Sequence, residues 1–276
     1  MVEKKNPAVR ILMYVLLICL TVITLIPLLW MLSASLKLDS EVFSIPIRWI
    51  PENPQWSNYV KIWSKIPLST FTFNTIKLTV IITIIQVLTS SFAAYGFAKC
   101  TFKGRDILFL CYVATMAIPW QVYMLPQYSM MNQMHLVDTH IGYILMQSFS
   151  AFGVFLMRQF FISIPNELLE AARIDGMTEY GIFAKIALPL SKYSISTLVI
   201  FTFVTIWNDY MGPMIYFNTE TKKTLQLGIK MFIGQYATEY GLVMAASVLS
   251  LIPVLVIFLL GQKQFVQGIA SSGIKG

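Results

Sequence analysis

Aromatic and amide side chains follow Pro119 in the third of six apolar stretches of this chain. Trp120, Gln121 and Tyr123 offer ring faces for stacking and an amide for hydrogen bonds, a combination that would suit a sugar. Pro119 and Pro126 predict a kinked or broken helix, and such breaks often line transport sites. These three side chains are therefore candidates for a substrate pathway, and packing against neighbouring helices explains them equally well.

One acid, Asp209, lies within the fifth apolar stretch, about 16 residues and hence about 24 Å from its start at 1.5 Å per residue. Acids inside a membrane span usually face a cavity or a partner. Asp209 and its neighbour Asn208 are therefore further pathway candidates. The alternative interpretation is an interfacial acid in an aromatic belt with Trp207 and Tyr210.

Side chains suited to catalysis or metal binding form no recognisable group in the sequence. There is no Ser/His/Asp, paired-carboxylate or thiolate arrangement, and no Gly-x-x-x-x-Gly-Lys-[Ser/Thr] loop to hold ATP phosphates. His135, Asp138 and His140 are metal-type ligands, but they share a polar loop without a structural anchor. The cysteines, which lie in or beside apolar runs without CxxC spacing, are Cys19, Cys100 and Cys111. We expect no catalysis, no metal and no cofactor in this chain.

A polar insert, residues 163–190, separates the fourth and fifth apolar stretches. Pro165 suits the first turn of a helix, and Gly176 suits the left-handed position just past the end of that helix. A second short helix is predicted from Thr178 to Ala187, ended by Pro189. A helical wheel of the first helix gives an apolar arc with Leu168, Leu169, Ala171 and Ala172, and a polar arc with Glu167, Glu170 and Arg173.

Two interpretations of the first insert helix are open. An amphipathic helix on the inner leaflet would favour Lys and Arg on its polar face. Here the polar residues are mainly Glu167, Glu170 and Asp175, which anionic lipid would repel. The small Ala171 and Ala172 would let a partner surface approach closely. Docking of a protein partner is therefore the better interpretation.

The elements that position these residues are six predicted membrane spans. The chain is 57% apolar and 12% charged, and a bilayer core of about 30 Å requires about 20 apolar residues per helix. Backbone groups in lipid must be satisfied internally, so the spans are helices. We predict one all-α membrane domain over residues 1–276, with spans at about 11–36, 75–98, 107–130, 141–161, 193–217 and 242–261 and a tail at 263–276.

Lys and Arg are more numerous in the N-terminal segment, the second connection, the insert and the tail than in the other connections. This bias predicts that both termini and the insert are cytoplasmic. The net charge is +7, and the Lys and Arg residues that produce it lie between the apolar runs. This distribution fits membrane orientation better than nucleic-acid binding.

The insert resembles the EAA loop of binding-protein-dependent ABC importer permeases, which docks onto a separate ATPase. The positions that match this pattern are Glu170, Ala171, Ala172, Asp175, Gly176, Phe183, Ile186, Leu188 and Pro189. The chain is also similar to the carbohydrate branch, the maltose and multiple-sugar permeases, in residues 51–59, 207–210, 224–228 and 265–276. It departs at residues 135–139, where relatives often have a Gly-Leu-Asn-Thr-like turn.

The resemblance implies a type I ABC importer permease fold and alternating-access transport of a carbohydrate, an oligosaccharide, across the cell inner membrane. It implies that ATP and Mg belong to two partner ATPase subunits. The other implied partners are a second homologous permease, which makes a heterodimer, and an extracellular or periplasmic solute-binding protein. The family ending further implies that the tail contacts the ATPase pair through Gly268, Ser272, Gly273 and Lys275.

The sequence allows two interpretations of the first long loop and two of the energy source. The loop at about 37–73, rich in Pro and Trp, is either an interfacial hairpin or a landing surface for the solute-binding protein. The rival function is an ion-coupled secondary carrier that works without an ATPase. Such coupling normally needs acids inside the spans, and only Asp209 qualifies.

Overall fold

Three apolar stretches form single helices that are long and apolar enough to cross a membrane. They are α1 (Pro7–Ser35), α4 (Leu68–Lys99) and α15 (Tyr240–Gly273). The computed structural model describes residues 7–234 and 238–273, with side chains for residues 8–234 and 238–264. The 32 residues of α4 span about 48 Å at 1.5 Å per residue, which exceeds a bilayer core of about 30 Å.

Each of the other three stretches contains two helical segments that meet at a bend. The angles between the segments are 100° for the third stretch, 45° for the fourth and 78° for the fifth. In the third stretch, α5 (Arg105–Ala114) and a 3-10 turn (Thr115–Ala117) precede α6 (Trp120–Gln133). In the fourth, α7 (His140–Met146) precedes α8 (Ala151–Ser163). In the fifth, a run from Glu179 to Leu190 precedes α12 (Lys192–Trp207). Counting each pair as one span gives up to six, in agreement with the predicted all-α class.

The first of these bends lies at Pro119, where the sequence predicted a kinked or broken helix. Pro119 is extended and precedes α6, while Ile118 before it is extended as well. A residue before proline is disfavoured in the α region, so the helix cannot continue across this position. Pro126, by contrast, lies inside α6.

The bend before α12 does not lie where the sequence placed it. The run from Glu179 to Leu190 consists of α10 (Glu179–Ile182), a π-helical turn (Phe183–Ala187) and α11 (Leu188–Leu190), so it continues through Pro189. Proline lacks the N–H that would bond to an earlier carbonyl, and the π turn widens the backbone just before it. The Ser191 N–H and hydroxyl both bond to the Ala187 carbonyl, at 3.1 and 2.8 Å, and the chain turns there.

The remaining helices are short. They are α2 (Asp39–Val42), α3 (Asn58–Lys65), α9 (Asn166–Ile174), α13 (Met211–Tyr216) and α14 (Leu225–Met231), with a 3-10 turn at Glu220–Lys222. The predicted fifth span therefore ends as a helix at Trp207 instead of residue 217, because three non-helical residues separate α12 from α13.

The chain divides into two compact units, and the described part of the first contains residues 7–68, 228–234 and 238–252. Asn58, at the start of α3, is buried and its amide donates to the carbonyls of Ser35 and Lys37 at 3.0 Å each. Asp39 accepts a 2.8 Å hydrogen bond from the Gly241 N–H at the start of α15. The sequence segment 51–59, which carries part of the family resemblance, thus holds the end of α1.

The second unit contains residues 69–227 and the chain from Pro253. One of its core clusters joins α4 and α8 to the insert through Tyr95, Phe161, Leu169 and Phe183. Another gathers side chains from α4, α6, α7, α12 and α13, among them Leu78, Met131, Tyr143, Ile206 and Tyr216. These clusters position the insert and the pathway candidates respectively.

Candidate functional site

Helix α9 of the insert buries only a narrow strip. Leu169 and Ala172, three residues apart, are buried, whereas Leu168 and Ala171 are exposed. The predicted apolar arc is therefore half solvent-facing, because the core contacts only the i, i+3 row. Glu170 is exposed on the same helix.

The end of α9 has the geometry that the sequence predicted. Gly176 has φ +82°, in the left-handed region that favours glycine. The Gly176 N–H donates to the Arg173 carbonyl and the Met177 N–H to the Ala172 carbonyl, each at 3.0 Å. These two bonds form a Schellman motif, which ends the helix and turns the chain sharply. Asp175, at the helix end, is exposed.

Two large apolar side chains of the insert are exposed although the sequence did not single them out. Ile174 is 86% exposed and Tyr180 is 79% exposed. Ile174 follows Glu170 by four residues and Ala171 by three, so these three share a face of α9, and Tyr180 lies on α10 after the turn. We call these four exposed residues the insert surface (Glu170, Ala171, Ile174 and Tyr180). A signal was present in the sequence, since Ile174 stands between the polar residues Arg173 and Asp175.

The second half of the matched pattern anchors the insert. Phe183 is buried and stacks on Phe92 of α4, with ring centroids 4.5 Å apart. Ile186 and Leu188 pack partly buried against the same core, while Pro189 is exposed. The matched residues thus divide into exposed and anchoring positions.

Hydrogen bonds tie the insert to α4. The Tyr95 hydroxyl donates to Glu179 at 3.0 Å, and Arg173 donates to the other oxygen of the same carboxylate at 2.6 Å. Lys99, the last residue of α4, donates to the Ile164 carbonyl at 2.6 Å and to the Asn166 side chain at 2.8 Å. The insert is therefore fixed to a long helix by polar contacts in addition to its core.

The pathway candidates do not form one cluster of hydrogen bonds. Trp120 donates to Gln127 on its own helix at 2.9 Å and packs against the second core, while Gln121 and Tyr123 are exposed. Asn208 is exposed and donates to the Val204 carbonyl at 2.9 Å. Among the described residues, no hydrogen bond links the α6 group to Asn208 or Asp209.

Asp209 has a specific structural environment. Its carboxylate accepts a 2.5 Å hydrogen bond from the Tyr143 hydroxyl and a 3.1 Å bond from the Gly212 N–H. A Cβ at Gly212 would lie 2.5 Å from the Asp209 carboxylate, so glycine is required for this approach. The acid thus connects α7 to the start of α13.

Two of the loop residues with metal-type side chains, Asp138 and His140, form hydrogen bonds with nearby loop residues. Asp138 accepts from the Asn218 and Thr219 N–H groups at 3.0 and 3.1 Å, and from the Lys222 ammonium at 3.2 Å. Although burial alone would raise the pKa of Asp138, the hydrogen bonds from Thr219, Lys222 and Asn218 lower it to about 2. His140 bonds to the Lys222 carbonyl at 3.0 Å. No group of three metal-type ligands occurs in the part of the chain that the structure describes.

Only part of the predicted tail belongs to the residues that the structure describes. The backbone of α15 is helical through Gly268 and Ser272 to its end at Gly273, but the side chains beyond residue 264 lie outside the described residues. Lys275 lies outside them entirely.

Comparison with known proteins identifies the family. A family model described as the binding-protein-dependent transport system inner membrane component matches residues 86–271, a range that contains the insert. The chain belongs to this family. Its expected fold and membrane location are thereby confirmed at the level of an inner-membrane transport component.

Curated relatives of this permease align over almost its whole length. It is 31% identical to the arabinooligosaccharides transport system permease protein AraQ of Halalkalibacterium halodurans, over 100% of each chain. It is 32% identical to the sn-glycerol-3-phosphate transport system permease protein UgpE of Yersinia enterocolitica, over 99% of each. Both are transport permeases.

Solved structures agree with the fold. A bacterial ABC transporter involved in the import of the acidic polysaccharide alginate has a chain with a TM-score of 0.82 and 26% identity, covering 96% of the permease and 99% of that chain. A bacterial alginate ABC transporter in complex with an alginate pentasaccharide-bound periplasmic protein has a chain with a TM-score of 0.66, which supports the fold. The permease thus has an ABC importer permease fold.

Proposed function

We propose that this permease is the non-catalytic subunit of an importer for a carbohydrate, an oligosaccharide, and that ATP and Mg bind to separate ATPase subunits. The observation that carries the proposal is the insert surface. It exposes Ile174, Tyr180 and Glu170, while Leu169, Ala172 and Phe183 of the same insert are buried in the core that also contains Tyr95 of α4. Ile174 shares a face of α9 with Glu170 and Ala171, and exposed apolar side chains next to polar ones mark protein contacts.

The names of the relatives support the substrate class. Relatives of about 30% identity are described as permeases for arabinooligosaccharides and for sulfoquinovosyl glycerol, and a structural neighbour imports alginate. Another relative is described as a permease for sn-glycerol-3-phosphate. Sugar-containing solutes therefore predominate among these names.

The anchoring of the insert suggests how ATP would drive transport. An ATPase that moves the insert surface would pull on α9, and the Tyr95–Glu179 and Lys99–Ile164 contacts would pass the motion to α4. Such coupling requires that the ATPase docks differently in its two states. The cycle would expose the pathway first to a loaded solute-binding protein and then to the cytoplasm.

The proposed assembly contains a second homologous permease, two ATPase subunits and the external solute-binding protein. Both termini and the insert are proposed to be cytoplasmic, which follows from the distribution of Lys and Arg. The family description as a binding-protein-dependent system and the neighbour in complex with a periplasmic protein support the external solute-binding protein. The loop at about 37–73 would face that protein, and the α15 tail would face the ATPases.

Reversal of charge on the insert surface tests the proposal. Glu170→Lys should lower ATP-dependent uptake at least tenfold and reduce the amount of ATPase that co-purifies with the permease. Glu220→Lys, in the exposed turn Glu220–Lys222, is the matched control and should keep both. Equal uptake and equal ATPase recovery for the two variants would refute the docking role.

A further inference from the structure

Side chains of α4 form hydrogen bonds with the backbone at the bend between α7 and α8. The Gln86 amide donates to the Gln147 carbonyl at 2.6 Å, and the Thr89 hydroxyl donates to the Ser148 carbonyl at 2.8 Å. The Ser150 hydroxyl accepts from the Gly153 N–H at 3.0 Å and caps α8. Backbone groups released by a break in a span must be satisfied in this way inside a membrane. The bend is therefore stabilised by specific side-chain hydrogen bonds.

A cavity of about 420 Å³ opens beside this bend. Its volume falls in the range of small-molecule sites, about 300–1,000 Å³. The polar lining groups are Gln86, Gln147, Ser150, Thr202 and Thr205, and the aromatic ones are Phe149, Phe152 and Phe201. The lining thus combines hydroxyl and amide groups with ring faces.

The Gln86 amide lines the cavity and does not use all of its hydrogen-bonding groups within the protein. It is 7% exposed, it donates once to Gln147, and its oxygen accepts from the Thr202 hydroxyl at 3.2 Å. An amide has two N–H donors and two oxygen lone pairs. Among the described residues, one donor and one lone pair therefore remain for a ligand.

Gln86, which lines the cavity, lies near the middle of the second apolar stretch. Gln86 is about 17 Å and about 18 Å from the two ends of the apolar stretch 75–98, at 1.5 Å per residue. Substrate sites of many transporters lie near the bilayer midplane at discontinuous helices. The bend between α7 and α8 is such a discontinuity.

We infer that this cavity contacts the transported solute and takes an uncharged glycosyl unit. Phe149, which is 70% exposed, supplies a ring face for stacking, while Gln86 and Thr205 supply polar groups for hydroxyls. The lining contains no Asp, Glu, Lys, Arg or His. A carboxylate or phosphate would find no cation there, and a buried anion without a partner is costly. The inference rests on the proposed function and adds the place and charge of the substrate contact.

The test uses the whole assembly with its ATPases and solute-binding protein in proteoliposomes. A mixture of arabinan, starch and alginate oligosaccharides is supplied outside, and mass spectrometry identifies what enters with ATP. Phe149→Leu and Thr205→Val should each lower kcat/KM for uptake about three- to tenfold. ATP hydrolysis stimulated by the loaded binding protein should stay within about twofold of the unchanged chain. Phe155→Leu is the matched control, because Phe155 lies on α8 outside the cavity and is 38% exposed.

The possible outcomes separate this inference from the proposed function. Entry of neutral oligosaccharides together with reduced uptake by both variants supports the cavity site. Entry of acidic alginate fragments, or variants that match Phe155→Leu, overturns it while leaving the importer intact. Loss of the second permease from the Phe149→Leu complex would show that Phe149 is an interface residue, which also overturns it. No ATP-dependent uptake by the unchanged assembly would refute the proposed function itself.

Discussion

The Tyr95 hydroxyl of α4 donates a 3.0 Å hydrogen bond to the Glu179 carboxylate, at the start of α10. Arg173 of α9 binds the other oxygen of that carboxylate. One acid therefore joins both helices of the insert to a long membrane helix. This contact links α9 and α10, which carry the insert surface, to α4.

Removal of the Tyr95 hydroxyl should loosen this link without disturbing the core. Tyr95→Phe keeps the ring against Phe161 and Phe183 but loses a hydrogen bond of about 1 kcal/mol or more to a charged acceptor. We expect ATP hydrolysis to continue while the amount of solute imported per ATP falls severalfold. The ratio is measured in proteoliposomes, with Tyr112→Phe as the control. An unchanged ratio would show that the Tyr95–Glu179 bond does not transmit motion.

The left-handed turn at Gly176 should tolerate no proline. Proline fixes φ near −65°, whereas Gly176 has φ +82° and lies in the Schellman motif. Gly176→Pro should abolish uptake while the chain stays in the membrane, and Gly176→Ala should cost about 1 kcal/mol. Gly96→Ala, at a helical glycine with open space around it, should leave uptake unchanged. Uptake and membrane content are measured together; full activity of Gly176→Pro would contradict the turn.

A close helix contact between α4 and α8 predicts a rescue. A Cβ at Gly153 would lie 2.4 Å from the Ser90 hydroxyl oxygen and 3.2 Å from Leu198. Gly153→Ala should therefore destabilise the permease by about 1–3 kcal/mol through overpacking. Adding Ser90→Ala removes the nearest atom and should restore part of the loss in a thermal unfolding assay. Additive effects of the two substitutions would mean that these residues do not meet.

The environment of Asp209 predicts that it serves structure and not ion coupling. Asp209→Asn keeps an acceptor for Tyr143 and Gly212 but loses the charge, so we expect a modest fall in thermal stability. Uptake should remain dependent on ATP and independent of proton and sodium gradients. Asp106→Asn, at an exposed acid, is the control for charge removal. Loss of a gradient dependence present in the unchanged permease would instead support the ion-coupled carrier.

The spans and the end of α9 could be predicted because their signals are local. Apolar runs of sufficient length imply helices in lipid, and Pro119 predicts the bend that lies before α6. Gly176 was predicted in the left-handed region from its place after an amphipathic helix, and it lies there. Each of these features depends on residues that are close in the chain.

The features that sequence reasoning missed depend on distant residues. The bend at residues 147–150 has no proline, and the side chains that support it, Gln86 and Thr89, come about 60 residues earlier. The Tyr95–Glu179 bond joins residues 84 apart. The exposure of Ile174 likewise depends on where the core ends. None of these follows from periodicity or local propensity.

The energy source distinguishes an ATP-driven importer from an ion-coupled carrier, and one measurement tests it directly. The permease is purified with its co-purifying partners and reconstituted, and oligosaccharide uptake is measured with ATP but no ion gradient, then with proton or sodium gradients but no ATP. We expect uptake only with ATP and only when an ATPase subunit is present. Uptake by this chain alone, driven by an ion gradient without ATP, would contradict it.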